Sequence, residues 1–158
     1  MLREEFINAK RIVIKLGTNV LRNADGEVAI SRIYSFIEDM AKLVKQGKEV
    51  ILVTSGAVGL GKKKLNLEST AEDGVKQACA AIGQSRLMSF YENGFGIYDV
   101  PIAQILLTED DFSLRYRYLS LRTTLNKILE FGVVPIINQN DTVSTIEMNP
   151  MMSGMKVC

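Results

Sequence analysis

The chain has 158 residues, 47% of them apolar and 23% charged, with a net charge of +1 and no histidine, the profile of one ordinary globular domain able to bury roughly 68–70% of its unfolded surface. No apolar run approaches the ~18 residues of a membrane span, and the balanced charge gives no global field of the kind nucleic-acid binders use. Without histidine there are no His-based triads, His metal sites or histidine general bases, so any chemistry runs on Lys, Asp, hydroxyls and backbone amides.

The opening residues Met1-Leu2-Arg3-Glu4-Glu5-Phe6 mix both signs and lead to no signal-type apolar core, which reads as a cytosolic product. Cys79 and Cys158 lie far apart and outside any Cys-x-x-Cys spacing, as expected of reduced thiols. The first predicted strand is Arg11–Leu16, an apolar run broken by Lys15 and then Gly17. An ammonium at the end of a buried strand is costly without an anion beside it, and Gly17 lets backbone N–H groups approach that anion unobstructed. The alternative is a lysine snorkelling at a strand end beside an ordinary glycine turn.

Ile33, Phe36, Ile37, Met40, Leu43 and Val44 share one helical face, predicting a helix over about 31–46 with Ser31 as its cap and Gly47 as its stop. The strand Glu49–Thr54 follows and runs into Ser55-Gly56-Ala57-Val58-Gly59, which opens a helix. Its N–H groups and the Ser55 hydroxyl form a pocket for a phosphate or a carboxylate, unless the glycines serve only tight packing. Gly56 to Lys62 also matches the Gly-x-x-x-x-Gly-Lys of a P-loop, but Lys63 stands where a Mg²⁺-binding Ser or Thr is required. There is no clean Gly-x-Gly-x-x-Gly dinucleotide fingerprint. A polar interruption at 65–73 leads to a helical stretch over about 72–91, in which Gly83-Gln84-Ser85-Arg86 can reach a site but suits core packing better.

The third strand is placed at 100–107, and the Thr108-Glu109-Asp110-Asp111 after it reads as a solvated helix N-terminus in preference to a metal site. Leu114, Tyr118, Leu121, Leu125, Ile128 and Leu129 make a second apolar helical face, ended by Gly132. The fourth strand, 133–138, runs into Asn138-Gln139-Asn140-Asp141-Thr142, where amides and a carboxylate can hold a zwitterion, Asp141 pairing with its ammonium. An Asn/Asp-rich turn is the alternative. The β-α-β-α-β-α-β order gives an α/β fold, a parallel sheet with helices covering both faces and ligands bound beyond the carboxyl ends of the strands. Three strand ends are polar there, which suggests one phosphate-handling site. From Met148 on the sequence has neither strand nor helix period, so residues 1–147 read as one domain portion and 148–158 as a non-matching tail.

The missing histidine bears on the substrate as well. A hydroxyl nucleophile usually needs a base, whereas a carboxylate with a pKa of ~4.3 is already ionised at neutral pH. Phosphoryl transfer onto a carboxylate can proceed by positioning and charge neutralisation alone.

Lys-Leu-Gly-Thr-Asn-Val at 15–20, Val-Thr-Ser-Gly-Ala-Val at 53–58, Ala-Ala-Ile-Gly-Gln-Ser-Arg-Leu at 80–87, Gln-Ile-Leu-Leu-Thr at 104–108 and Pro-Ile-Ile-Asn-Gln-Asn-Asp at 135–141 together resemble the glutamate 5-kinase family of the amino acid kinase superfamily. The resemblance covers residues 10–147 in order. It implies a three-layer α/β/α fold, incomplete at its C-terminus, and ATP-dependent conversion of L-glutamate to glutamyl 5-phosphate, the first step of proline synthesis. ATP is then the cofactor, with Mg²⁺ carried by the nucleotide and no protein metal ligand assigned. The candidate catalytic residue is Lys15; Lys15, Gly17 and Thr18 are candidates for phosphate and ATP; Ser55, Gly56, Ala57, Asn138, Asn140 and Asp141 are candidates for the amino acid. Proline as a feedback inhibitor, homo-oligomerisation of the intact protein and a cytoplasmic location are implied in the same way, with neither nucleic acid nor membrane as a partner.

Departures from the family pattern carry their own expectations. Gln139 stands where the family usually has Glu, which removes one charge near the amino-acid site. The family also continues into a Gly-Asp-Asn-Asp segment, an adenine-binding half and a second catalytic lysine near a glycine-rich loop, none of which this sequence contains. The expectation is therefore a shortened chain, through a frameshift, an expression boundary or an incomplete gene, inactive by itself or serving as a non-catalytic fragment that binds glutamate or proline or pairs with intact subunits. Another small-molecule kinase of the same superfamily is the remaining alternative.

Overall fold

The computed structural model describes residues 8–21, 23, 28–72 and 74–143. Its elements are β1 (Arg11–Leu16), α1 (Ile30–Lys45), β2 (Glu49–Thr54), α2 (Ala57–Lys64), α3 (Val75–Gly96), β3 (Ile102–Leu107), α4 (Asp110–Ser113), α5 (Arg115–Glu130) and β4 (Val134–Gln139). The strands form one parallel sheet in the order β1-β2-β4-β3. From β1 to β2 and on to β3 the chain advances across the sheet, and from β3 to β4 it steps back. Right-handed crossovers then lay α1, α2 and α3 on one face and α5 on the other. This is the expected α/β architecture with a parallel sheet.

Strand periodicity decides which side chains make the core. Val50 and Leu52 of β2, Val134 and Ile136 of β4 and Leu16 of β1 pack with Ile33, Ile37 and Met40 of α1 and with Leu87, Tyr91 and Phe95 of α3. At roughly 1.5–3 kcal/mol for each large apolar side chain fully buried, this one cluster is the main stabilising unit. The opposite face is thinner, since α5 packs on β4 and contributes Leu129 as its buried residue. Full coverage of both faces, expected from the apolar strands, therefore fails at β1. As the edge strand it exposes Arg11, Val13 and Lys15 on alternate positions, Val13 to 61%.

Four helices stop by the same device. A residue with positive φ follows the helix, its N–H bonds the carbonyl three residues back, and the next N–H bonds the carbonyl five back, a Schellman motif. Gly47 (φ +82°) ends α1 and Gly132 (φ +71°) ends α5, as the sequence predicts. Asn66 (φ 54°) ends α2 and Asp99 (φ 55°) ends α3, two non-glycine residues in the same role. The predicted start of α1 is corrected: Ala29 occupies the cap position and no side chain, Ser31 included, caps the helix. The stretch placed at 72–91 begins at Val75, after Gly74 in a left-handed conformation, and continues to Gly96. Val100 and Pro101 fall outside β3, which ends at Leu107 as predicted but starts later than the predicted 100–107, and β4 runs Val134–Gln139 in place of the predicted 133–138. Asp73, Cys158 and the 148–158 tail lie outside the described residues, while Cys79 is buried and free.

Candidate functional site

The carboxyl ends of β1, β2 and β4 are adjacent in the sheet, so the three polar strand ends expected to form one site do lie along one edge. Lys15 pairs in register with Val53 of β2, and alternation turns it to the face opposite Ile14 and Leu16. It is exposed, with no ion pair to it among the described residues. The expectation of a buried ammonium is thereby overturned: Lys15 reaches solvent because β1 is an edge strand whose second face is open. What remains is an available cation at the strand end. Beyond it, the Gly17 carbonyl accepts from Val20 N at 3.0 Å and Leu21 N at 3.4 Å, closing a turn. Apart from its chain neighbours, no atom of the described residues lies within 4 Å of the position a Gly17 Cβ would occupy, which leaves the backbone there open to a ligand's approach.

Two hydroxyls join this turn to the next strand end. Thr18 Oγ1 and Ser55 Oγ are 3.1 Å apart, and Ser55 Oγ donates to the Leu16 carbonyl at 3.4 Å. With Ser55 donating to Leu16, Thr18 is the donor to Ser55. Below them is a cavity of about 20 Å³ lined by Thr18, Leu21, Gly56 and Gly59 among others. Gly56 caps α2 at φ +100°, a conformation that L side chains rarely adopt. Ala57, the first residue of α2, is buried, and its carbonyl would lie 1.7 Å from a Cβ placed on Gly83 of α3. Close backbone packing thus fixes where the α2 N-terminus sits.

The P-loop likeness dissolves at this point. Its second glycine and its lysine, Gly61 and Lys62, lie inside α2, where a P-loop requires an open loop ahead of a helix. Gly61 instead lets α2 approach α3, since its Cβ would stand 1.9 Å from the Cys79 carbonyl.

At the β4 end, Asn138 is buried and both ends of its amide are engaged. Asn138 Oδ1 accepts from Gln139 N at 2.9 Å, and Asn138 Nδ2 donates to Gln84 Oε1 at 2.8 Å. Asn140 N donates to the Leu107 carbonyl at 2.8 Å, so the turn after β4 is tied to β3 as well. Asn140 and Asp141 are half-buried, whereas Gln139 is exposed.

A second tether lies one strand away. Thr54 Oγ1 and Tyr91 OH are 2.6 Å apart in the core, and burial pushes the Tyr91 phenol up to about 12 against a smaller lowering by the Thr54 hydrogen bond. Gln84 and Tyr91 are seven residues apart, two turns of α3, and so share a helix face. Thr54, Gln84 and Asn138 are the buried polar side chains among the described residues, and all belong to these two tethers.

The structure therefore joins Thr18, in the turn that follows Lys15 and Gly17, to Ser55 at the start of the Ser55-Gly56-Ala57 segment through one direct side-chain contact, while the Lys15 side chain is exposed at the end of β1. Asn138 near the end of β4, and Asn140 and Asp141 in the turn after it, stand at the next strand end along the same edge, placed there by the pairing of Leu52 with Ile136 and Val53 with Ile137. The Thr108–Asp111 cluster behaves as a helix start: Asp111 Oδ2 accepts from Thr108 N at 2.7 Å and Thr108 Oγ1 at 2.9 Å. Those bonds hold the Asp111 carboxyl below the usual carboxylate range. Sequence reasoning gave Gln84 to packing and did not single out Tyr91. The available signal was polar residues at i and i+7 on an otherwise apolar helix face.

The amino acid kinase family model matches residues 10–149. A glutamate 5-kinase of Desulfotalea psychrophila is 49% identical over 148 residues, covering 92% of this chain and 39% of that protein. A glutamate 5-kinase of Pelobacter propionicus is 43% identical over 149 residues and one of Myxococcus xanthus is 45% identical over 153, each covering 94% of this chain and 40% of the relative. The chain thus spans about two-fifths of the length of these curated relatives. Among the described residues no helix is long and apolar enough to cross a membrane.

Proposed function

Because the chain belongs to the amino acid kinase family, we propose that it carries the amino-acid-binding and phosphoryl-receiving part of a glutamate 5-kinase. The observation that carries this reading is the Thr18–Ser55 contact, which ties the turn that follows Lys15 and begins at Gly17 to the segment entering α2. The substrate is L-glutamate, held by Ser55, Gly56 and Ala57 on one side and by Asn140 and Asp141 on the other, with the candidate Asn138 buried behind them and its amide already engaged. Asp141 pairs with the α-ammonium, and the α2 N-terminal amides face a carboxylate.

ATP, with Mg²⁺ on its phosphates, supplies the γ-phosphoryl group. The residues present suit such a group: an exposed ammonium at Lys15 and an open backbone at Gly17. The side-chain carboxylate of glutamate attacks phosphorus, the bond to the ADP oxygen breaks, and glutamyl 5-phosphate leaves. The acceptor is already ionised, so no protein base takes a proton. Lys15 offsets charge on the transferring oxygens, Gly17 N–H donates to one of them, and Ser55 fixes the acceptor. Proline, which shares the α-carboxylate and α-nitrogen, competes for the same contacts. A cytoplasmic location belongs to the same reading.

Binding and transfer are tested separately, since the relatives extend over more than this chain matches. Titration of the chain with L-glutamate, followed by amide NMR, should move the Ser55, Gly56, Asn140 and Asp141 signals, with aspartate much weaker. Absence of any shift at millimolar glutamate would sink the reading. Hydroxylamine trapping of acyl phosphate in the presence of MgATP then separates a catalyst, whose product Lys15→Ala abolishes, from a binding unit that makes none.

A further inference from the structure

The hydrogen-bond chain behind Asn138 has a direction fixed by the backbone. Gln139 N–H can only donate, so the atom of Asn138 facing it has to be Oδ1. That turns Nδ2 toward α3, and the atom of Gln84 that meets it has to be Oε1. Reversing either amide would set donor against donor. Gln84 Nε2 is left buried without a partner among the described residues, a desolvation cost that packing alone gives no reason to bear. An apolar side chain at position 84 would fill the same space without it. The amide is explained if its other end, Oε1, is the functional atom.

We propose that Gln84 is a positioning residue for the substrate turn after β4. Acting through Asn138, it fixes the Gln139 peptide, and with it the direction in which Asn140 and Asp141 leave the strand. Two observations add weight. Gln84 meets Asn138 at the carboxyl end of β4 and is among the residues lining an open groove of about 640 Å³ that also reaches Thr142, one residue past Asp141. The same face of α3 holds the β2 end through Tyr91 and Thr54, so one rigid helix sets the spacing of the two strand ends that bear the candidate amino-acid contacts. The proposal rests on the glutamate reading only for the identity of the ligand.

Gln84→Met keeps length and apolar volume but removes the acceptor, whereas Gln84→Glu returns an oxygen to the position of Oε1. Native-state hydrogen exchange at the Gln139 and Asn140 amides reads the turn without any ligand. Exchange at Gln139 should rise roughly tenfold in Gln84→Met while the α1 amides stay unchanged, and L-glutamate should bind roughly tenfold more weakly. Gln84→Glu should recover most of both effects. The proposal is overturned if Gln84→Met leaves Gln139 exchange unchanged, if it accelerates all amides equally, or if Gln84→Glu is as impaired as Gln84→Met. Should the unsubstituted chain bind no glutamate while the exchange pattern is as described, the relay stands as the anchor of this turn and the functional reading falls.

Discussion

Thr18 and Ser55, thirty-seven positions apart, meet hydroxyl to hydroxyl at 3.1 Å and convert two separate strand ends into one surface. Removing either side of a partly buried pair of this kind costs about 0.5–1.5 kcal/mol. Thr18→Val and Ser55→Ala should each lower stability by that order, and the double variant by less than their sum, since the contact is lost only once. Denaturant unfolding of the four chains measures the cycle; full additivity would show that the contact carries no energy.

Lys15 is exposed, so Lys15→Met should leave the unfolding free energy within about 0.5 kcal/mol of that of the unsubstituted chain. Any rate of glutamyl phosphate formation should fall by on the order of 10²–10³, the usual effect of removing one group that stabilises transition-state charge. A large loss of stability would return Lys15 to a structural role.

Gly83→Ala should be among the most damaging small substitutions in the chain. Its Cβ would stand 1.7 Å from the Ala57 carbonyl and 2.6 Å from Gly61 N, both backbone atoms of α2. The helices have to part, costing at least the about 1–3 kcal/mol of ordinary overpacking and moving the α2 N-terminus beneath Ser55. Gly96→Ala, where no atom of the described residues outside its own stretch of helix lies within 4 Å of the added Cβ, is the control and should be neutral or stabilising by up to about 1 kcal/mol. Thermal unfolding and glutamate titration of both variants make the comparison.

Stability should fall in strong base through Tyr91. Its phenol is raised to about 12 in the fold, so above the unfolded value near 10 the unfolded chain releases the proton first and unfolding gains the difference. The contribution is complete below about pH 10 and lost between about 10 and 12, amounting to roughly 2–3 kcal/mol at most. Tyr91→Phe should flatten that part of the pH profile while leaving the Thr54 hydroxyl without its partner. Urea midpoints from pH 8 to 11.5 test the slope; equal slopes in the two chains would remove Tyr91 as its source.

Much of the fold was legible because its signals are local. Short β-branched runs alternate with 3.6-residue apolar faces, and Gly47 and Gly132 mark helix ends where a left-handed residue closes the last turn. Asn66 and Asp99 do the same work without glycine and were not read, because their side chains also suit many loops. The Ser31 cap failed for a similar reason: the residue type fits the role, yet the chain enters α1 two residues earlier. Of the candidate site, the strand ends were readable as motifs, but the α3 tethers were not, since Gln84 and Tyr91 lie 54 and 37 positions from their partners.

The sequence by itself determined the alternation of strands and helices, the three polar strand ends and the resemblance that names the family, because each is written in neighbouring residues. Only the tertiary structure decided that β4 lies beside β2 so that these ends are contiguous, that Lys15 is exposed, and that α3 clamps both β2 and β4 from behind. Strand order and burial are settled by which faces pack together, a competition among distant apolar surfaces that no local stretch of the chain encodes.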